Sequence, residues 1–388
     1  MSQLNWEIPG KLNINHFSQH HNHNYLKQMK ILFFIESLRS GGRERRLCEL
    51  IKGLHQAGSY KMELILTEKD IHYKDIFETE IKLHFVPRLF LKKDPTVFYR
   101  IFAIARRFKP DIIHTWSTMT TFYALPTKAL LNTPLIDSEI SNTKPMYLPL
   151  FRKINFKFAD KITSNTIAGL KAYEAPTHKS SAIYNGFDFR RIAELASPST
   201  VRQRFNITTP HVIAMVGTFY PQKDYLTYIK AANELVKKRE DITFLCIGAG
   251  DYSALEAIST NKKKIRFLGK QNDIESIMNI CDIGILTTNS NIHGEGISNA
   301  LLEFCSLGIP VIATDFGGSP ELIKNSINGY LIPPFNFKQL AAKIQIILSE
   351  KKEQKRMGLA AKQIVENQFG LESMVQKFIE LYNTTLKE

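Results

Sequence analysis

Short apolar runs alternate with longer amphipathic stretches along most of the chain. Runs at 30–36, 62–67, 82–86, 111–115, 134–138, 161–164 and 181–184 read as strands in the first half. Runs at 211–217, 242–247, 264–268, 282–287 and 310–314 do so in the second. Helical spacing fills most of the intervals, over 43–56, 95–108, 224–238, 273–280, 295–307 and 337–349. Strands that are apolar throughout, rather than at every other position, belong to parallel sheets covered on both faces. Their regular alternation with helices places the chain in the α/β class.

The rhythm breaks around 191–210, where Ser197-Pro198-Ser199-Thr200 and Thr208-Thr209-Pro210 carry turn chemistry. This segment reads as the linker between two doubly wound, Rossmann-like domains, 29–190 and 211–370. The final stretch, 371–388, holds an amphipathic helix expected to pack back towards the first domain. Residues 1–28 carry His16, His20, His21 and His23 without a sustained period and read as a disordered tail, metal binding being the lesser reading. Two open α/β domains set their strand C-termini, and hence a ligand, around a shared cleft.

Composition narrows the class. A hydrophobic share of 44% with 23% charged residues is that of a globular protein. No apolar run reaches the roughly 18 residues of a membrane span, and the polar start reads as no secretion signal. Cys48, Cys246, Cys281 and Cys305 have no paired spacing, so reduced, buried thiols and a cytoplasmic setting are expected rather than a disulfide framework or a zinc site. The net charge of +14 calls for a partner among nucleic acid, an anionic membrane surface and phosphate-bearing substrates.

The chemistry concentrates at Gly294-Glu295-Gly296-Ile297-Ser298-Asn299-Ala300-Leu301-Leu302-Glu303, which follows the strand at 282–287. If the helix opens at Glu295, the two carboxylates project in similar directions about 12 Å apart along its axis. Free N–H groups at Gly296 and Ile297, aided by the helix dipole, suit a phosphate. A bland reading makes Glu295 a cap-region acid and Glu303 a surface charge. The flanking Leu301, Leu302, Phe304 and Cys305 argue against it for Glu303, because a carboxylate in such a stretch needs a partner. Next come Gly308-Ile309-Pro310-Val311-Ile312-Ala313-Thr314-Asp315 and Gly317-Gly318-Ser319-Pro320-Glu321.

In register, these three elements resemble family 4 of the retaining glycosyltransferases: a Glu–x7–Glu motif, Gly-x-Pro-Val-x-Ala-Thr, then Gly-Gly-x-x-Glu. The resemblance covers about residues 30–385 and implies the two-domain GT-B fold. Gly41-Gly42-Arg43-Glu44-Arg45 matches the family's Gly-Gly-x-Glu-Arg turn, which implies that Gly41 and Gly42 let the backbone approach the donor diphosphate. Asp111-Ile112-Ile113-His114-Thr115-Trp116 is similar to the family's Asp-hydrophobic-His-x-His strand end, with Trp116 in place of the second histidine. That makes His114 a catalytic candidate, a structural role being the alternative. Asn185-Gly186-Phe187-Asp188 matches a structural turn. Val216 to Asp224 resembles the family's Gly-Arg…Lys-Gly segment, with Lys223 present and Thr218 where relatives have arginine. Phe267-Leu268-Gly269-Lys270 is implied to lie beside the base. Gly248-Ala249-Gly250-Asp251 lacks the third glycine of a dinucleotide fingerprint, which argues against a dehydrogenase.

The resemblance implies a hexosyltransferase that retains anomeric configuration, without a metal or a cofactor. Its co-substrate is a UDP- or GDP-linked sugar, held by Thr218, Lys223, Gly269, Gly296 and Ile297. Glu295 then positions the transferred sugar and Glu303 accepts the ribose hydroxyls. A glycan or lipid-linked acceptor in cell-envelope polysaccharide or lipopolysaccharide synthesis is the expected partner. Basic and aromatic residues interleave around Arg88, Lys92, Lys93, Arg100, Arg106, Arg107 and Lys109, with Phe85, Phe90, Phe98, Tyr99 and Phe102. They interleave again from Tyr147 to Phe158, around Arg152, Lys153 and Lys157. Such helices suit peripheral docking on anionic lipid at the inner membrane face, the alternative being solvated faces over a buried aromatic stripe. The competing readings are an epimerase or phosphorylase of the same fold, a catalytically silent sugar-binding homologue, and a nucleic-acid-binding protein. The last lacks any recognised binding motif, and no nucleic-acid partner is expected.

Overall fold

The computed structural model describes residues 28–88, 94–143 and 149–387. The tail expected over 1–28 therefore lies, but for Gln28, outside the described residues. So do Phe90, Lys92, Lys93 and Tyr147 of the basic-aromatic stretches.

Strands β1 (Met29–Ile35), β2 (Tyr60–Leu66), β3 (Lys82–Phe85), β4 (Ile112–Thr115), β5 (Leu135–Ile140), β6 (Lys161–Ser164) and β7 (Ser180–Ala182) form one sheet, in the order β3-β2-β1-β4-β5-β6-β7. Strands β8 (His211–Val216), β9 (Ile242–Ile247), β10 (Ile265–Gly269), β11 (Ile283–Leu286), β12 (Val311–Thr314) and β13 (Gly329–Ile332) form a second, ordered β10-β9-β8-β11-β12-β13. Both are parallel throughout. In each, the strand order reverses beside the first strand, between β1 and β4 and between β8 and β11. Such a reversal opens a crevice at the strand C-termini.

Successive side chains of a central strand feed opposite faces. Ile31, Phe33 and Ile35 enter one core layer of the first domain, and Leu32 and Phe34 enter the other with Val97 and Ile101. Val212 and Ala214 are likewise separated from Ile213 and Met215 in the second domain. This two-sided burial is why the strands read as unbroken apolar runs.

The C-terminal helix Leu371–Thr385 returns to the first domain. It inserts Leu371, Met374, Val375, Phe378 and Tyr382 into the layer that holds Leu47 and Leu54. Each such buried side chain contributes roughly 1.5–3 kcal/mol relative to exposure. Gly53 sets the close approach, since a Cβ there would lie 2.3 Å from Val375 Cγ2. The return is pinned where Phe187 N–H donates to Phe369 C=O (2.7 Å) and Leu371 N–H to Phe187 C=O (3.0 Å). A Cβ on Gly186 would meet Leu371 Cα at 2.7 Å, so the Asn185-Gly186 turn packs against this crossing.

Several features differ from the sequence reading, among them a short helix, Pro198–Arg204, within the stretch read as linker. The short edge strand β13 pairs with β12, and helices Lys351–Gln368 and Thr118–Leu131 stand where no periodicity was read. The helix expected over 295–307 is Asn299–Ser306. Cys48, Cys246, Cys281 and Cys305 are buried and unpaired.

Candidate active site

The late helix start changes the geometry of the glutamate pair. Glu295 lies on the loop before the helix, and Glu303 lies within it, so no helical rise separates them. Loop backbone groups that could have closed a first helical turn are used elsewhere, one across the cleft and one within the second domain. Thr143 N–H donates to Gly294 C=O (2.9 Å), and Gly318 N–H donates to Glu295 C=O (2.8 Å). Gly296 presses on the first domain, where a Cβ would lie 2.6 Å from Asn165 Nδ2 and 2.7 Å from Ser141 O. Among the described residues, the N–H groups of Gly296 and Ile297 have no hydrogen-bond partner. They remain two donors side by side, ahead of the helix rather than within it.

Glu295 is ion-paired with Lys223 and lies 3.7 Å from His293 Nε2. Burial works against its charge, but Lys223 and then His293 outweigh burial and hold the carboxyl below its ordinary range. Burial also lowers the His293 value, with Glu295 opposing and Lys223 adding to that shift. The Lys223 stem runs over Gly217, whose missing Cβ would sit 3.3 Å from Lys223 Cγ. Thr218 follows Gly217 in the turn after β8, where Phe219 N–H donates to Ala249 C=O (2.7 Å). The neighbouring strand ends close against this turn. Gly248 N–H donates to the C=O of Gly269, whose φ is +62°. A Cβ on Gly248 would meet Gly217 O at 1.8 Å. Thr218 and Gly269 thus lie by adjoining strand ends around Gly217 and Gly248, and Lys223 links that corner to Glu295.

Glu303 is nearly buried, with a side-chain exposure of 6%. Its Oε1 accepts from Arg45 Nη1 (2.9 Å) and Arg191 Nη2 (2.8 Å), and Arg191 also pairs with Glu275. Arg45 reaches across from the helix Gly42–Ala57, which begins at the Gly41-Gly42 turn. Tyr73 Oη–H donates to Gly41 C=O (3.0 Å), and the Cα of Gly42 faces Asn299, a Cβ there coming 3.7 Å from its Nδ2. Asn185 Nδ2 donates to Ile297 C=O (3.0 Å), fixing the loop from the first-domain side. Glu321 completes the closure by accepting from Ile167 N–H (2.9 Å) and Ala168 N–H (2.8 Å).

His114 lies outside this cluster. It is fully buried in the first-domain core, with Nδ1 2.9 Å from Tyr382 Oη and Nε2 2.7 Å from Ser138 Oγ. Phe33, Trp116 and Phe378 surround it. Burial, helped by Arg46, pushes its pKa well below the ordinary value. The catalytic candidate His114 thus occupies a packed core position, the structural alternative, and Trp116 beside it is buried as well. Sequence reasoning missed Arg191, His293 and Asn165. Arg45 stood within the quoted glycine turn, but nothing local says that it reaches residue 303. Among the described residues no cluster of His, Cys, Asp or Glu is grouped as a metal site.

With this geometry in hand, comparison with known proteins is informative. Residues 40–191 match the family model described as Glycosyltransferase Family 4, and residues 199–364 match that of Glycosyl transferases group 1. The UDP-Gal:alpha-D-GlcNAc-diphosphoundecaprenol alpha-1,3-galactosyltransferase of Escherichia coli is 26% identical over 324 residues, covering 74% of this chain and 82% of that protein. A Campylobacter jejuni alpha-1,4-N-acetyl-D-galactosaminyltransferase, named for a diNAcBac-PP-undecaprenol-linked acceptor, is 23% identical over 355 residues, covering 86% and 93%. Anabaena Alr3699/HepE, solved in complex with UDP-glucose, superposes with a TM-score of 0.79 at 20% identity, over 92% of this chain and all of that one. The architecture is GT-B.

Proposed function

The chain belongs to glycosyltransferase family 4, and we propose that it moves a hexose from a nucleoside-diphosphate sugar to a lipid-linked glycan, with retention of configuration and without a metal. The observation that carries this reading is the Lys223–Glu295 ion pair directly before Gly296 and Ile297, whose N–H groups have no hydrogen-bond partner among the described residues. In this reading Lys223 and the two N–H groups meet the diphosphate, whose negative charge grows as the bond to the sugar breaks. Thr218 adds a hydroxyl donor there. Glu295 accepts from hydroxyls of the transferred sugar, and Glu303 accepts from those of the ribose. The acceptor oxygen bonds to the anomeric carbon on the face the diphosphate leaves, and its proton passes to the departing phosphate oxygen.

The diphosphate-linked polyprenol acceptors named for the Escherichia coli and Campylobacter jejuni relatives support a lipid-linked acceptor, and UDP in the HepE complex supports a uridine donor over a guanosine one. Peripheral docking at the inner membrane face fits two first-domain helices. One exposes Tyr99, Arg106 and Arg107, the other Leu150, Lys153, Lys157 and Phe158. Apolar and cationic side chains on one face suit an anionic lipid surface. No described helix is long and apolar enough to cross a membrane.

A thermal-shift panel of UDP- and GDP-sugars tests the donor, because a ligand bound only by the native state raises its melting temperature. One UDP-sugar is expected to stabilise the protein and to be consumed when an undecaprenyl-diphosphate glycan is added. Turnover of that sugar to an isomer without acceptor would instead establish an epimerase.

A further inference from the structure

The two oxygens of Glu303 have different surroundings. Oε1 takes both arginine contacts, from Arg45 Nη1 at 2.9 Å and Arg191 Nη2 at 2.8 Å. Oε2 has no hydrogen-bond partner among the described residues. The arginines reach Glu303 from separate elements, Arg45 from the first-domain helix Gly42–Ala57 and Arg191 from the single turn Phe189–Ile192 that follows that domain. Arg191 is fixed independently by its pair with Glu275 and by its guanidinium over the Phe187 ring, 5.1 Å from the centroid. Arg45 and Arg191 also line a small open cleft together with Asn185, Asp188, Asn299 and Leu302.

Two charge-assisted hydrogen bonds to one oxygen fix the plane of a carboxylate. The other oxygen can then accept a further donor with little added loss of side-chain freedom. Arg45 belongs to the first domain and Arg191 to the turn that follows it, whereas Glu303 lies on the second-domain helix Asn299–Ser306, so this fixation depends on contact between the two halves of the molecule.

We propose that Arg45 and Arg191 hold Oε1 so that Oε2 reads a ribose hydroxyl of the donor, which makes Arg45 a first-domain positioning residue for a second-domain recognition event. The proposal rests on the nucleoside-diphosphate reading above and assigns it a residue from the opposite domain. Its consequence is that discrimination between ribose and deoxyribose is complete only while the two domains are together.

Titration calorimetry with UDP, 2′-deoxy-UDP, 3′-deoxy-UDP and the matching GDP set tests it. The proteins are wild type, Arg45→Gln, Arg45→Lys, Arg191→Gln and Glu303→Gln, each checked for an unchanged melting profile. Wild type is expected to bind a ribonucleotide about 10- to 100-fold more tightly than at least one deoxy analogue, the range of a hydrogen bond to a charged group. Arg45→Gln and Arg191→Gln should shrink that ratio to below about threefold while leaving affinity for the deoxy analogue within about threefold of wild type. Arg45→Lys should recover part of the ratio, and Glu303→Gln should bring it near one. A wild-type ratio near one overturns the reading of ribose by Glu303. A full ratio that persists in Arg45→Gln, or a loss of all nucleotides in equal measure, overturns the positioning role. Absence of binding by every nucleotide overturns the donor reading itself, together with the inference drawn from it.

Discussion

The carboxylate of Glu321 accepts the backbone N–H of Ile167 at 2.9 Å, so an acid from the second domain completes the start of a first-domain helix. Its other oxygen accepts Ala168 N–H, and an anion at that end also complements the helix dipole. Glu321→Ala removes both bonds and should cost about 1.5–3 kcal/mol, the range for hydrogen bonds to a charged group. Urea unfolding measures it, and an unchanged midpoint would show the contact to be incidental.

The close approach at Gly296 gives a steric prediction. A Cβ there would fall 2.7 Å from Ser141 O, a backbone atom that cannot simply rotate away. Gly296→Ala should therefore push the loop off the first domain and lower kcat/KM by at least about tenfold, equivalent to about 1.4 kcal/mol of transition-state stabilisation. Each domain core should keep its stability, since neither is touched. Kinetics beside a melting curve separate these effects.

The ion pair of Glu295 with Lys223 predicts acid sensitivity. The folded value of Glu295 lies below the ordinary 4.5, so the pair's stabilisation is fully present above about that pH. It is lost as pH falls through the depressed value. Lys223→Met should abolish this part of the acid dependence and leave an unpaired buried carboxylate, which costs stability at neutral pH. Comparing urea midpoints of the two proteins between neutral and acidic pH tests the sign.

His114 predicts a second pH effect from the core. Its folded value lies below the ordinary 6.5, so the stability it contributes is complete above that pH. As pH falls below 6.5 the unfolded chain takes up a proton that the folded protein refuses, and stability drops. His114→Gln should flatten that slope and cost about 1–3 kcal/mol, because Tyr382 and Ser138 lose well-placed partners. A large fall in kcat with stability intact would instead return His114 to the catalytic centre.

Much of the fold could be read from the sequence because both sheets are buried on two faces. Strands such as β1, β8 and β9 are apolar at almost every position, and no neighbour has to be known to recognise them. The edge strand β13 escaped because Gly329–Ile332 is four residues long, and Gly329 serves a close approach to Val311 O. The helix Lys351–Gln368 escaped because it buries only Met357, Gly358, Ala361 and Val365 along a largely charged surface. At the site, Glu295, Glu303 and Lys223 were singled out through the resemblance of their segments to family motifs. Their partners were not, because Arg45 lies 258 positions from Glu303 and Arg191 lies 112 from it. The helix start was misplaced because the Gly294 carbonyl is taken by Thr143 across the cleft and the Glu295 carbonyl by Gly318, and propensity along the chain carries no trace of those contacts.

The central claim is that Glu303 and Lys223 build a donor site for glycosyl transfer. The most direct measurement is transfer from a labelled UDP-sugar, chosen by the thermal-shift panel, to an undecaprenyl-diphosphate glycan by wild type, Glu303→Ala and Lys223→Ala. The account predicts turnover by wild type and a loss of at least about 100-fold, equivalent to about 2.7 kcal/mol, in both variants while they remain folded. Near-normal transfer by either folded variant would contradict it.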